Sequence, residues 1–158
     1  RRRTHERIST ATLSYPPVRC SPLLDPSSAA AAQLACRVAH ERAASGDHSP
    51  SQVRPEIGPG LTATLVNIGG GGVGLRFDRE QAGAVDSSRL YWVEINLGEA
   101  LPAPVHVAAR IAHTHIDSSQ NLYAGLAFEF GLDAPHRSFI ISAIGAAFAR
   151  SIAQARAA

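Results

Sequence analysis

From Leu61 onward the chain repeats one pattern: short runs with an apolar residue at every second position, separated by glycine, proline, serine or asparagine. Period-two runs place alternate side chains on opposite faces, and several of them joined by turns specify an antiparallel sheet with one buried face. Residues 61–68 and 73–77 read as strands flanking a glycine run. Residues 89–97 form another, with Tyr91, Val93, Ile95 and Leu97 on one face and Trp92, a packing residue, on the other. Residues 105–116 alternate Val105, Val107, Ala109 and Ile111 against His106, Ala108, Arg110 and Ala112. Asp117-Ser118-Ser119-Gln120-Asn121 is turn chemistry, and residues 122–130 return as the second arm of a hairpin. A helix over 134–156 closes the chain, with Ile141, Ile144, Phe148 and Ile152 at helical spacing. Strands do not alternate with helices, so the pattern predicts an antiparallel barrel or sandwich in place of a doubly wound sheet.

The first part of the chain is less regular. Residues 8–15 alternate imperfectly as a strand that Pro16-Pro17 ends. Residues 16–59 then shift to Pro, Ser, Ala and Gly, and read as an insertion between two strands of the main domain. Within it Asp25-Pro26-Ser27-Ser28 starts a helix over about 28–45, which Gly46-Asp47 stops. Leu34 and Val38 give that helix only a thin apolar stripe, so it is expected to lie on the surface.

At 158 residues with 45% hydrophobic and 18% charged side chains, one globular domain is expected. A chain that opens on Arg1 and contains no Met reads as a piece of a longer polypeptide. All 15 basic residues are Arg, a bias that accords with a GC-rich genome. A net charge of +2 is too small for a surface that grips a nucleic-acid polymer. No apolar run reaches the ~20 residues that span a bilayer, and no signal peptide is visible, so a cytoplasmic domain is expected. Cys20 and Cys36 lack zinc-ligand spacing and read as free thiols.

Two motifs carry chemistry. Arginines crowd the start as Arg2-Arg3-Thr4-His5-Glu6-Arg7, and glycines crowd the middle as Gly69-Gly70-Gly71-Gly72-Val73-Gly74. Guanidinium forks match phosphate oxygens and the N7/O6 edge of guanine, while glycine allows close backbone approach and positive φ. The glycine run satisfies G-x-G-x-x-G, but that fingerprint needs a helix directly after it to receive a pyrophosphate. Val73-Gly74-Leu75-Arg76-Phe77 alternates as a strand, so the match is accidental. The phosphate-binding P-loop is excluded because the chain has no Lys. His113 and His115 share a strand face that suits a metal, yet simple alternation puts His106 on the opposite face, and an exposed strand face is the better reading. Arg110 reads as an outward, solvated residue. No activated-serine context such as G-x-S-x-G appears, and neither motif contains a nucleophile.

Together the two motifs resemble the PilZ domain family, receptors for cyclic di-GMP. Arg3-Thr4-His5-Glu6-Arg7 stands as the family's R-x-x-x-R arm, with Arg2 doubling the arginine. Asn67-Ile68-Gly69-Gly70-Gly71-Gly72 stands as its [D/N]-x-S-x-x-G turn. Val107-Ala108-Ala109-Arg110 and Ala124-Gly125-Leu126-Ala127-Phe128 are similar to its last two strands. The resemblance covers residues 1–15 and about 60–150. It implies a mainly β fold, a six-stranded antiparallel PilZ-like barrel with a C-terminal α-helix and an inserted helical segment. It also implies a non-enzymatic domain that binds cyclic di-GMP through Arg2, Arg3, Arg7, Asn67, Gly69 and Gly72, with no further cofactor and no metal. Arg3 and Arg7 would clamp phosphates and guanine edges, and Asn67 would bond a guanine. The implied partners are the ligand and a neighbouring domain or protein, with a homodimer through the C-terminal helix as an option. The sequence departs from the family at Gly69, which replaces the motif serine, and in the 16–59 insertion. A PilZ-like module that binds no nucleotide and serves protein interaction is the alternative.

Overall fold

The computed structural model describes residues 7–9 and 15–157. Among them are seven strands: β1 (Arg7–Ser9), β2 (Val18–Pro22), β3 (Leu61–Gly69), β4 (Gly72–Phe77), β5 (Leu90–Ile95), β6 (Val105–Ile116) and β7 (Leu122–Phe128). Three α-helices accompany them: α1 (Ala29–Ala44), the single-turn α2 (Arg79–Ala82) and α3 (Pro135–Ala157). All strand pairs are antiparallel. They run β3–β2–β5–β6–β7–β4, and β4 pairs back onto β3, so six strands close into a barrel and leave no open edge around the ring. β1 adds to the far end of β3.

The alternation read from the sequence selects the barrel interior. Val73, Leu75 and Phe77 of β4, Tyr91, Val93 and Ile95 of β5, and Val105, Val107 and Ala109 of β6 are all buried there. Each buried Val, Leu, Ile or Phe contributes about 1.5–3 kcal/mol by leaving water. From α3, Ile140, Ile144 and Ala147 enter the same core. The expected stripe was centred on Ile141, Ile144, Phe148 and Ile152, but Ile152 is exposed. The buried face of the helix is instead Ile140, Ile144 and Ala147.

Residues 16–59 are not an insertion in the sense expected. Val18–Pro22 is an integral barrel strand, pairing with β3 at Val18↔Ala63 and with β5 at Cys20↔Val93. Its five residues follow Pro16-Pro17, end on Pro22 and are too short to show a period.

The role of α1 also differs. Leu34 and Val38, its apolar stripe, face solvent, while Ala29, Ala32, Gln33, Cys36, His40 and Ala43 face inward. The reason lies in β6. β7 pairs with β6 only from Ala109 onward, so on that edge the Pro104 carbonyl, the His106 N–H and carbonyl and the Ala108 N–H project past it without a strand partner. Side chains from α1 and α3 meet them. Gln33 Oε1 accepts from the Ala108 N–H at 3.0 Å, Cys36 Sγ accepts from the His106 N–H at 3.4 Å, and His40 Nε2 bonds the Pro104 carbonyl at 3.0 Å. His136 Nε2 of α3 bonds the His106 carbonyl at 2.8 Å. A buried face made of alanine and hydrogen-bonding side chains is what a helix needs to cover a strand edge. Gln33→Ala is therefore expected to cost about 2 kcal/mol, because it strands a buried N–H donor. Urea unfolding checks this, with Leu34→Ala on the solvent face as the neutral companion.

Candidate functional site

The end of the arginine segment, from Arg7 to Ser9, runs beside the strand that opens the β3–β4 hairpin. Gly69 and Gly72 end the two strands, and Gly70-Gly71 turns between them. β1 lies along β3 with Arg7 opposite Gly69, Ile8 opposite Ile68 and Ser9 opposite Asn67. The segment that carries the arginines is thus in backbone register with the segment that opens the glycine turn. Arg2 and Arg3 lie outside the described residues, and Arg7 is described in its backbone alone.

A bulge at Val66 places Asn67 opposite Gly74, and a second bulge at Ala112 places His113 opposite Gly125. Asn67, Gly74, Gly125 and His113 therefore form one row across β3, β4, β7 and β6 on the outer barrel surface. Two glycines floor the row. A β-carbon on Gly74 would lie 2.9 Å from Asn67 Oδ1, and one on Gly125 would run into the His113 ring, so the side chains at either end lean over the glycines. The neighbouring rows hold Gly72, Ala127 and Arg110 on one side, and Thr64, Arg76, Tyr123 and His115 on the other. The result is a shallow, small-residue tract edged by polar and basic side chains. The sequence marks Gly74 only as part of the glycine run and His113 only as a metal option, and it does not group either with Gly125. Their signal is present as glycines at outward positions of paired strands, but it becomes visible only with the register in hand.

The Ala112 bulge also corrects the face assignment of the histidines. The extra residue reverses the alternation, so His106 shares the outer face with His113 and His115. His115 stacks on Tyr123 with ring centroids 5.0 Å apart. Among the described residues no group of three or more His, Cys, Asp or Glu is placed to hold a metal. Arg110 points outward as expected, 3.8 Å from Glu129. Trp92 packs beneath α1 with Leu23, Ala29, Ala32 and Ala108.

Within the glycine run, Gly72 and Gly74 are glycine for a different reason than positive φ. Among the described residues, Gly46 and Gly98 are the positive-φ glycines, and both lie outside the run. Gly72 is buried, and a β-carbon there would collide with the carbonyl oxygen of Leu126 across the β4–β7 pair. The requirement at Gly72 is close approach between strands. Cys20 and Cys36 are both free and buried. No helix among the described residues is long and apolar enough to cross a membrane.

No family model matches the chain, and no curated protein matches it. Solved structures do. The PilZ domain of YcgR from Escherichia coli, solved with c-di-GMP, superposes with a TM-score of 0.54 at 16% identity, covering 99% of this chain and 98% of that one. The MrkH–c-di-GMP complex of K. pneumonia gives 0.54 at 12% identity, covering 99% of this chain and 55% of that one. MotI, an inhibitor of motility from Bacillus subtilis, gives 0.51 at 12% identity, with 96% and 52% covered. The chain thus spans about half the length of MrkH and MotI. At these identities the likeness is one of fold.

Proposed function

The chain has a PilZ-like fold, and from that premise we propose that it is a regulatory domain that binds cyclic di-GMP at the β3–β4 hairpin. The observation that carries this reading is the pairing of Arg7 with Gly69 and of Ser9 with Asn67. It brings two motifs far apart in sequence onto one edge, where a ligand can touch both. Arg2, Arg3 and Arg7 supply guanidinium forks for phosphate oxygens and guanine N7/O6, the strong charge-assisted class of hydrogen bond. Asn67 offers an amide to a guanine edge. Gly69, Gly72 and the glycine floor beyond them let a flat base lie close to the sheet. Ligand contact with the arm then biases its position relative to a neighbouring domain or partner, a local electrostatic event with a distant readout. The role involves no turnover.

A second reading has an observation of its own. Gly72 is required by the Leu126 carbonyl whether or not a ligand binds, and Gly69 lacks the hydroxyl of the motif serine. On that reading the barrel is a PilZ-like interaction module without a nucleotide. A missing hydrogen bond costs only about 0.5–1.5 kcal/mol, which lowers affinity without abolishing a site.

Calorimetric titration with cyclic di-GMP separates the two. Saturable binding is expected, weakened about 30-fold by Arg7→Ala and tightened about three- to tenfold by Gly69→Ser. Absence of saturable heat in both the native chain and Gly69→Ser would favour the interaction module.

A further inference from the structure

On the side of the ring opposite the hairpin, α1, the 48–55 segment and Pro102–Pro104 enclose a cavity of about 360 Å³ against β5 and β6. Both ends of the covering segment are tied down. The Asp47 N–H donates to the Arg42 carbonyl at 2.9 Å. At the other end the Glu56 N–H donates to Ser28 Oγ at 2.9 Å, and the Glu56 carbonyl accepts from the Leu24 N–H at 2.8 Å. Pro50, Pro55, Pro102 and Pro104 border the space, and each proline ring fixes its φ near about −65°. Walls stiffened in this way keep the volume open, and it falls within the ~300–1,000 Å³ of small-ligand pockets.

The floor and the mouth of the cavity differ in chemistry. Ala32, Cys36, Ala43 and Trp92 on the floor are buried. The Cys36 thiol donates to the Pro104 carbonyl at 3.9 Å and accepts the His106 N–H at 3.4 Å, so it offers a ligand only bulk. On one wall two charges offset each other. His106 Nε2 lies 3.7 Å from Glu94 Oε2, and the Trp92 indole stacks on the imidazole with centroids 5.9 Å apart. Burial opposes a charge on His106, but Cys36 and Glu94 beside it outweigh burial and push it up to about 9. His106 in turn holds Glu94 below the usual carboxylate range, with Arg54 and Arg19 adding to the effect. Arg54, exposed at the mouth, is the charge left over, because its guanidinium has no hydrogen-bond or ion-pair partner among the described residues. Beside it Val53, a large apolar side chain on the same rim, is 49% exposed.

We propose that this cavity binds a small apolar carboxylate, with its chain on the alanine and tryptophan floor and its head on Arg54 at the mouth. A carboxylate matches the guanidinium fork in shape and charge, and the pair forms the strong class of hydrogen bond. A cationic head would meet Arg54 as a like charge and find Glu94 already engaged by His106. An uncharged head would leave Arg54 without a counter-charge. The chain meanwhile removes the floor and Val53 from water, the main source of affinity for an apolar ligand. The site shares no residue with the hairpin, so it stands whether or not a nucleotide binds there.

Trp92 is the single tryptophan of the chain and lies in the floor, so its fluorescence reports occupancy. The whole chain is titrated at neutral pH and fixed ionic strength with octanoate, octylammonium and octan-1-ol. Octanoate is expected to change the Trp92 emission saturably and to bind about tenfold more tightly than the other two. Arg54→Gln, a substitution on the exposed rim, is expected to remove that preference and leave octan-1-ol binding unchanged. Ala39→Phe, which fills the space beside α1, is expected to abolish the response to octanoate. Its melting temperature checks that it folds, and Arg54→Gln decides alone if it does not. The proposal is overturned by the absence of a saturable response to octanoate, or by equal binding of the three probes. An undiminished preference in Arg54→Gln, or an undiminished response in folded Ala39→Phe, overturns it as well.

Discussion

Gly72→Val is expected to destabilise the protein by about 3 kcal/mol, near the upper end for overpacking in a core. A β-carbon at Gly72 meets the Leu126 carbonyl oxygen, a backbone atom in the middle of the sheet. β7 cannot retreat, because β4 and β6 hold it on both sides. β4 cannot retreat without breaking the Gly72↔Ala127 and Val73↔Leu126 pairs. Gly125→Ala makes the instructive comparison. Its β-carbon also meets an obstacle, but the obstacle is the exposed ring of His113, which can swing into solvent. Gly125→Ala is expected to cost less than about 1 kcal/mol, in line with a surface substitution. Urea midpoints of the two variants decide the matter, and equal losses would mean that the hairpin yields as easily as a side chain.

Acid is expected to remove about 3 kcal/mol of stability between pH 6.5 and pH 4, through His136. This residue is fully buried at the start of α3. Arg37 Nη1 donates to its Nδ1 at 2.8 Å, so its Nε2 carries the proton and donates to the His106 carbonyl. Burial first, and then the Arg37 guanidinium, push His136 down to about 4 against an ordinary value of 6.5. The folded state therefore binds fewer protons than the unfolded chain across that window. Its contribution is complete above pH 6.5 and is lost as pH falls toward 4. His40, also held low by burial, adds in the same direction. His106 behaves oppositely. Raised to about 9, its contribution is complete below 6.5 and is lost as pH rises through 9. Stability should peak near neutrality and fall on both sides. Denaturation at a series of pH values measures the acid limb, and His136→Gln should flatten it. An unchanged acid limb in that variant would assign the loss to carboxylates such as Asp133, which the 2.8 Å Arg37 contact binds into the same cluster.

The strands from residue 61 onward and both long helices were legible because their evidence is local. An apolar residue at every second position in β4 and β5 reports one buried face whatever the partner strand is. A proline at the start of α3 and a serine before α1 mark helix starts within a few residues. β2 was hidden because five residues that end on a proline carry no period, and its strand character comes from β3 and β5 on either side. The inward face of α1 was hidden because its large apolar residues, Leu34 and Val38, point outward. Its polar face is buried only because β6 outruns β7 and leaves a bare edge. The Ala112 bulge reversed a histidine assignment that strict alternation had placed on the wrong side.

For the candidate site, the sequence alone supplied the chemistry: arginine forks at one end, an asparagine and four consecutive glycines in the middle, and no nucleophile in either motif. Tertiary structure decided which backbone segments adjoin. Only strand register sets Arg7 beside Gly69, floors the row from Asn67 to His113 with two glycines, and draws Cys36, His106 and Glu94 around one cavity. Residue identity and short-range period are written along the chain. Which residues face each other depends on pairings between distant segments, and a single bulge changes the face of every residue beyond it.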